Sequence, residues 1–402
     1  MTQVYSTAAK ATTKVDRIIG KISGSSKGPI VVFFGGIHGN ETAGVFALQE
    51  VFKTLKENKS KIKGTIYGIA GNLKALELNQ RYIQEDLNRI WTRANLERIE
   101  LKKALNEEEK EQQDLLKILK SILKKHSGNP FYFIDLHTTS SKTLPFITIN
   151  DALINRKFSK FFPVPIVLGI EEFLDGPLLS YINQLGYVSL GFESGQHDDK
   201  NAITNCVSFI YLTLVFTKAL RKDSVIGFPI HYNILKTQAN KTRHIFEVIY
   251  RHKIEKEDSF KMLNGFKSFQ KISKGKELAI SNSKTIKAKL KGEIFMPLYQ
   301  NKGEDGFFII KRIKPIFLKL STFLRRINFD EILILLPGIR WMNTDKEVML
   351  VNLRTAKFLA KPLFHLLGYR NKQIDKTHIK LYNREKAAKT ATYKKEKWHK
   401  VM

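Results

Sequence analysis

The feature that most constrains this chain is an alternation, sustained to about residue 260, of short β-branched or aromatic runs with longer stretches of helical periodicity. Such alternation predicts an α/β fold in which helices pack on a mostly parallel, mixed sheet. Strands are expected at "PIVVFFGG" (29–36), "GTIYGIAG" (64–71), "PFYFIDLH" (130–137), "VPIVLGI" (164–170) and "YVSLGFE" (187–193). Helices are expected over 41–56, about 93–126 and about 198–221. The second of these is highly charged and apolar on one face, without a strict heptad, and so reads as a packed surface helix.

The pattern then changes. Between 266 and 315, short alternating segments separated by Lys-Gly, Ser-Asn-Ser and Gly-Glu-Asp-Gly turns predict a small antiparallel β unit. Beyond 316, "FLKLSTFLRRINF" and "RTAKFLAKPLFHLLGY" predict amphipathic helices, and the last twenty residues read as a frayed basic tail. The expected organisation is an α/β domain over 1–265, a small β domain over 266–315, and a basic, partly helical C-terminal extension over 316–402. A chain of 402 residues is long enough to bury such a core.

Composition narrows the classes. A hydrophobic content of 43% with 11% aromatic residues is that of a globular protein. No apolar run approaches the roughly 18 residues of a membrane span, and the N-terminus lacks the apolar core of a secretory signal, so a cytoplasmic protein is expected. The single cysteine, Cys206, excludes an intrachain disulfide and a cysteine-rich zinc site. Any metal would therefore be held by imidazole and carboxylate. The net charge is +30, and residues 311–402 hold 22 Lys/Arg against 7 Asp/Glu, half of that excess. The positive charge is thus concentrated away from the segment where the chemistry gathers.

That segment is "GGIHGNE". His38 and Glu41 follow the first strand on a turn that Gly35, Gly36 and Gly39 allow to be tight. The spacing alone says little, because His252 and Glu255 repeat it in a charged stretch that reads as a solvated helix face. Position says more. His137 ends a second strand and Glu193 a third, and in open parallel sheets ligand sites form outside the carboxyl ends of the strands. Two imidazoles and a carboxylate are the ligand set of a catalytic zinc. Glu193 suits a proton-accepting carboxylate, and Asp135, two residues before His137 on the same strand face, suits an acceptor behind a ligand imidazole. In "NQRYIQEDLNRIW", Arg81, Asn88 and Arg89 offer donors for a carboxylate or an oxyanion, against a bland reading as solvated loop residues. His197, in "ESGQH", lies near Glu193 in sequence.

Together, "GGIHGNE", "RYIQEDLNRIW", "IDLHTTS" and "FESGQ", in this order, resemble the succinylglutamate desuccinylase/aspartoacylase family, a branch of the zinc carboxypeptidase-like hydrolases. The resemblance runs over roughly residues 28–312 and includes "GEIFMPLYQ". It implies removal of an acyl group from an N-acyl amino acid by amide hydrolysis, with one zinc ion in an α/β domain followed by a β domain. It further implies His38, Glu41 and His137 as zinc ligands, Arg81 polarising the scissile carbonyl, Asn88 and Arg89 holding the substrate carboxylate, and Glu193 activating water. The resemblance does not reach the extension after 316, and it matches no β-domain residue to the acyl group, for which Tyr299 is the candidate.

The expected protein is therefore a zinc-dependent deacylase acting on a small carboxylate-bearing substrate such as an N-succinyl or N-acetyl amino acid. A carboxypeptidase or esterase using the same groups is the near alternative. A binding module is the distant one, its basic tail, with Tyr393 and Trp398 among lysines, docking on nucleic acid or an anionic membrane surface. A homo-oligomer is compatible with each.

Overall fold

The architecture was obtained as a computed structural model that describes residues 1–400 except 58–60, 102–103, 226, 356–363, 365 and 374–376. Its centre is an eleven-stranded mixed sheet. Strand Ser26–Gly35 lies between Lys63–Ala70 and Phe131–Thr139, parallel to both, and Val188–Gln196 runs parallel to Phe131–Thr139 on its other side. These central strands are near-continuous apolar runs because both faces of the sheet are covered. The period-two alternation divides them. Val31, Phe33, Ile134 and Leu136 face helices Ala43–Glu57 and Lys200–Phe216, while Val32, Phe34, Phe131 and Phe133 face Leu115 and Leu119 of helix Glu107–Lys125.

The five expected strands are present, with Phe146–Ile149 added between Val188–Gln196 and Ile166–Leu168. The expected helix over 93–126 is instead two, Arg93–Glu100 and Glu107–Lys125. A capping box starts the second: the Asn106 side chain accepts from the Glu109 amide at 2.9 Å, and the Asn106 amide donates to Glu109 Oε2 at 3.0 Å. Periodicity continued across this boundary, but the local cap decided it.

The strands of residues 260–312 divide between two sheets. Gln270–Ile272, Gly292–Phe295 and Asp305–Arg312 continue the large sheet through Ile245–Lys253, and Phe260–Met262, Glu277–Ser281 and Lys284–Lys287 form a three-stranded sheet. His252 therefore lies on a strand, not a helix face, with its ring stacked 5.1 Å from that of Phe307.

The C-terminal region departs furthest from expectation. Helix Pro315–Arg326 is present, but it is followed by a four-stranded antiparallel sheet of Ile339–Trp341, Val348–Asn352, His378–Asn383 and Tyr369–Gln373. The helix expected in "RTAKFLAKPLFHLLGY" falls largely outside the described residues. The final segment is not a frayed tail. Tyr393 and Trp398 are buried, the Tyr393 hydroxyl donates to the Phe131 carbonyl, and Trp398 Nε1 donates to Tyr132 Oη at 3.0 Å. Two large aromatic surfaces leave water in the main core, and that outweighs the solubility of the intervening lysines. Buried ions join the same parts: Asp151 pairs with Arg156 and Arg325, and Arg384 with Glu171 and Glu172. Among the described residues, no helix is long and apolar enough to cross a membrane.

Candidate metal centre

The turn after strand Ser26–Gly35 fixes His38 and Glu41. Gly36 has φ of +74°, a left-handed conformation, and a Cβ on Gly39 would run into the Ala75 carbonyl. The Gly39 amide donates to the Arg81 carbonyl at 3.2 Å, which joins this turn to the loop bearing the second group of polar residues. That loop is held from behind by Glu108, a buried carboxylate on helix Glu107–Lys125. It accepts from the amides of Ile83, Gln84 and Glu85 at 2.6, 3.0 and 3.3 Å and from Asn72 Nδ2 at 3.1 Å.

His38, Glu41 and His137 converge, and one candidate ligand atom from each lies within 4.8 Å of the others. The Glu41 carboxylate sits between the imidazoles: Oε1 is 2.8 Å from His38 Nδ1 and Oε2 is 2.8 Å from His137 Nδ1. Each outer nitrogen faces another carboxylate. His38 Nε2 lies 3.0 Å from Asp86 Oδ1, and His137 Nε2 lies 2.7 Å from Asp135 Oδ2. The residues could hold a metal ion, because both Nδ1 atoms and the carboxylate between them converge, with acidic groups close to the outer nitrogens. Burial would raise the Glu41 carboxyl, but His38 and His137 hold it well below the ordinary carboxylate range. Burial likewise disfavours charge on His137, yet Asp135 and Glu41 hold it well above the ordinary imidazole value. The acidic surroundings suit a bound cation in electrostatic terms as well.

Glu193 is directly opposite His137 in the parallel register. Burial, followed by repulsion from Glu41 and Asp135, outweighs the attraction of His137 and Arg81 and pushes its carboxyl up to about 8. Its Oε2 is buried without a hydrogen-bond partner. Arg81 donates from Nη1 to Glu41 at 3.3 Å and from Nη2 to Asp86 at 3.0 Å. Asn88 Oδ1 accepts from the Leu178 amide at 2.9 Å. Arg89 donates to Asp305 Oδ2 at 2.9 Å and to the Asn88 carbonyl at 3.0 Å.

All seven candidate residues line one cavity of about 130 Å³. Met296, Leu298, Gln300 and residues 303–305 form part of its wall. Tyr299 does not line it; its hydroxyl donates to the Leu263 carbonyl at 2.7 Å and accepts from the Phe266 amide at 3.0 Å. Its neighbours Leu298 and Gln300 take that place. Asp86 was not singled out in the sequence, although it lies within the Arg81–Arg89 cluster and is the acidic residue nearest Asn88 there. Its carboxyl would be raised by burial, but His38, Arg81 and Arg89 hold it well below its ordinary range. His197 lines the cavity too, lying 2.7 Å from Thr138 Oγ1 and 3.2 Å from Gln300 Oε1.

Residues 27–177 match the succinylglutamate desuccinylase/aspartoacylase catalytic domain. Over that segment the chain is similar to the catalytic domain of this family. Among curated relatives, a probable aspartoacylase of Acaryochloris marina is 29% identical over 163 residues, 39% of this chain and 52% of the relative. A succinylglutamate desuccinylase of Photorhabdus laumondii is 41% identical over 61 residues, 15% of this chain and 19% of the relative. The matches therefore span about half, or less, of the relatives' own length. The fold is similar to that of a succinylglutamate desuccinylase/aspartoacylase from Rhodobacter sphaeroides, at 14% identity and a TM-score of 0.55, over 73% of this chain and 88% of that one. An ectoine utilization protein from Ruegeria pomeroyi matches at 17% identity and a TM-score of 0.51, over 72% and 87%.

Proposed function

We propose that this chain is a zinc-dependent deacylase that hydrolyses the amide of a small N-acyl amino acid. The observation that carries the reading is the convergence of His38, Glu41 and His137 beside Glu193, a buried carboxyl on the adjacent strand whose Oε2 has no hydrogen-bond partner. Zinc held by the first three residues would supply Lewis acidity, polarising a carbonyl and acidifying water. Glu193 as carboxylate takes the proton from the attacking water and returns it to the leaving nitrogen. Arg81, adjoining Glu41 and Asp86, presents its guanidinium to the developing oxyanion. Asn88, through its amide nitrogen, and Arg89 receive the substrate carboxylate, which competes with Asp305 for the Arg89 fork.

The curated relatives are named for acyl-amino-acid substrates, and a cavity of about 130 Å³ walled by Leu298, Gln300 and residues 303–305 favours a small substrate over a peptide. The same groups could cleave a small ester. The burial of Tyr393 and Trp398 weighs against a free aromatic-basic arm for nucleic acid. Elemental analysis paired with amine release from a panel of N-acetyl and N-succinyl amino acids tests the reading. About one zinc per chain and chelator-sensitive release are expected. Protein that cannot be loaded with metal, or that cleaves only peptides, would overturn it.

A further inference from the structure

On a different part of the molecule lies a second and much larger cavity, of about 1720 Å³. Typical small-molecule pockets are roughly 300–1,000 Å³. Its interior is mainly apolar, with Phe161, Val215, Phe216 and Tyr232 from the α/β portion facing Leu318 and Phe323 of helix Pro315–Arg326. Twelve lysines and arginines line it, and no aspartate or glutamate among the described residues does. Among the described residues, Arg156 pairs with Asp151, Lys218 with Glu396 and Arg221 with Asp223. The crowding is felt. Burial and the neighbouring Arg326 press the Lys157 ammonium towards losing its proton, and burial with Arg156 does the same to Lys160.

The helix that walls this cavity also presents an apolar stripe to the outside. Ile316, Leu320, Phe323 and Ile327 fall at i, i+4, i+7 and i+11, on one line along the helix, and are 64, 41, 58 and 50% exposed. The opposite face is the one that packs, through Ser321 and Arg325. Lys319 and Arg326 flank the stripe on its cavity side, and Phe323 belongs to both surfaces. A buried helix face beneath, an exposed apolar line above and cations alongside are the attributes of a helix lying in a membrane interface.

We infer that helix Pro315–Arg326 docks this protein on an anionic phospholipid bilayer, with the stripe entering the acyl boundary and the adjoining basic, apolar cavity accepting a lipid acyl chain beneath its anionic headgroup. Charge complementarity selects the lipid: a cavity lined by twelve lysines and arginines, some of them paired outside it, and by no aspartate or glutamate among the described residues favours a negative headgroup. The stripe favours a bilayer over a free amphiphile, because a soluble ligand inside the cavity would leave Ile316 and Ile327 in water. This inference is independent of the metal centre.

The test is cosedimentation of the full-length protein with vesicles of phosphatidylcholine alone and of phosphatidylcholine with phosphatidylglycerol, at low and high salt. Binding should require phosphatidylglycerol, weaken with salt, and fall at least roughly tenfold in Phe323→Glu and in Ile316→Glu. Both side chains are largely exposed, and unchanged thermal melts would show that the variants still fold. Lys319→Glu should weaken binding while leaving the apolar stripe intact. A parallel titration with a fluorescent fatty acid below its micelle concentration separates the sources. Fatty-acid binding without vesicle binding would replace the docking inference with a soluble carrier site. Binding to neither, or vesicle binding untouched by Phe323→Glu and Ile316→Glu, would overturn it.

Discussion

His137 and Glu193 occupy paired positions on adjacent parallel strands, so one register brings a candidate metal ligand and a candidate base to the same edge of the sheet. A slip of one residue in this pairing would turn Glu193 to the opposite face.

The ligand assignment predicts that His137→Ala loses its zinc. Asp135→Ala keeps the three ligands but removes the carboxylate behind His137 Nε2, and should weaken metal affinity by roughly 10–100-fold. Competition with a chromophoric chelator measures both. Unchanged affinity in both variants would refute the assignment.

For Glu193, Gln substitution should lower turnover by about 10²–10⁴-fold with metal still bound. The stability effect has the opposite sign. In metal-free protein the folded carboxyl is raised to about 8 from an ordinary 4.5, so its stabilising contribution is full below about 4.5 and is lost as pH rises through about 8. Chelator-treated Glu193→Gln should therefore be more stable than wild type at pH 8 to 9, by on the order of a few kcal/mol, and gain little at pH 4.5. Calorimetry at the two pH values would show it.

Glu108 should act at a distance from the cavity. Glu108→Ala would strip the acceptor from three loop amides and cost about 1–3 kcal/mol for each group left buried without a partner. Because that loop carries Arg81, Asn88 and Arg89, the expected kinetic signature is a raised KM with metal content unchanged. Metal loss in this variant would indicate a more general collapse.

Acid should loosen the joint between the α/β portion and the C-terminal region. Burial would raise the Asp151 carboxyl, but Arg156 and Arg325 hold it far below its ordinary value. Its contribution is therefore present above the unfolded pKa near 3.8 and is lost as pH falls towards the folded value. Asp151→Asn should cost about 3–5 kcal/mol near pH 7, since it leaves buried guanidinium charge unpaired, and should flatten the acid limb of the stability profile. Chemical denaturation between pH 2 and 7 measures both effects.

Removing the end of the chain should unfold more than a tail. Trp398→Ala is expected to cost about 3–5 kcal/mol, as for other large aromatic truncations in a core. A melting temperature equal to wild type would mean that the segment detaches readily in solution.

The sequence by itself determined the α/β core and most of the candidate site. Apolar runs of strand length mark central strands, and His38, Glu41, His137 and Glu193 stand where those strands end, so local pattern and topology coincide. Asp86, Asp305 and Glu108 were harder to see, because each acts through a partner distant in the chain or through the closure of a loop, and an acidic residue in a polar stretch has no periodicity to distinguish it. The tertiary structure decided the fate of the last ninety residues. Their lysines suggested solvent, but Tyr393 and Trp398 find an apolar surface on Tyr132 and Phe158, and Arg325 and Arg384 find buried carboxylates. Composition reports how soluble a segment is on average, whereas burial depends on which few side chains meet a complementary surface, and that surface exists only once the rest of the chain has folded.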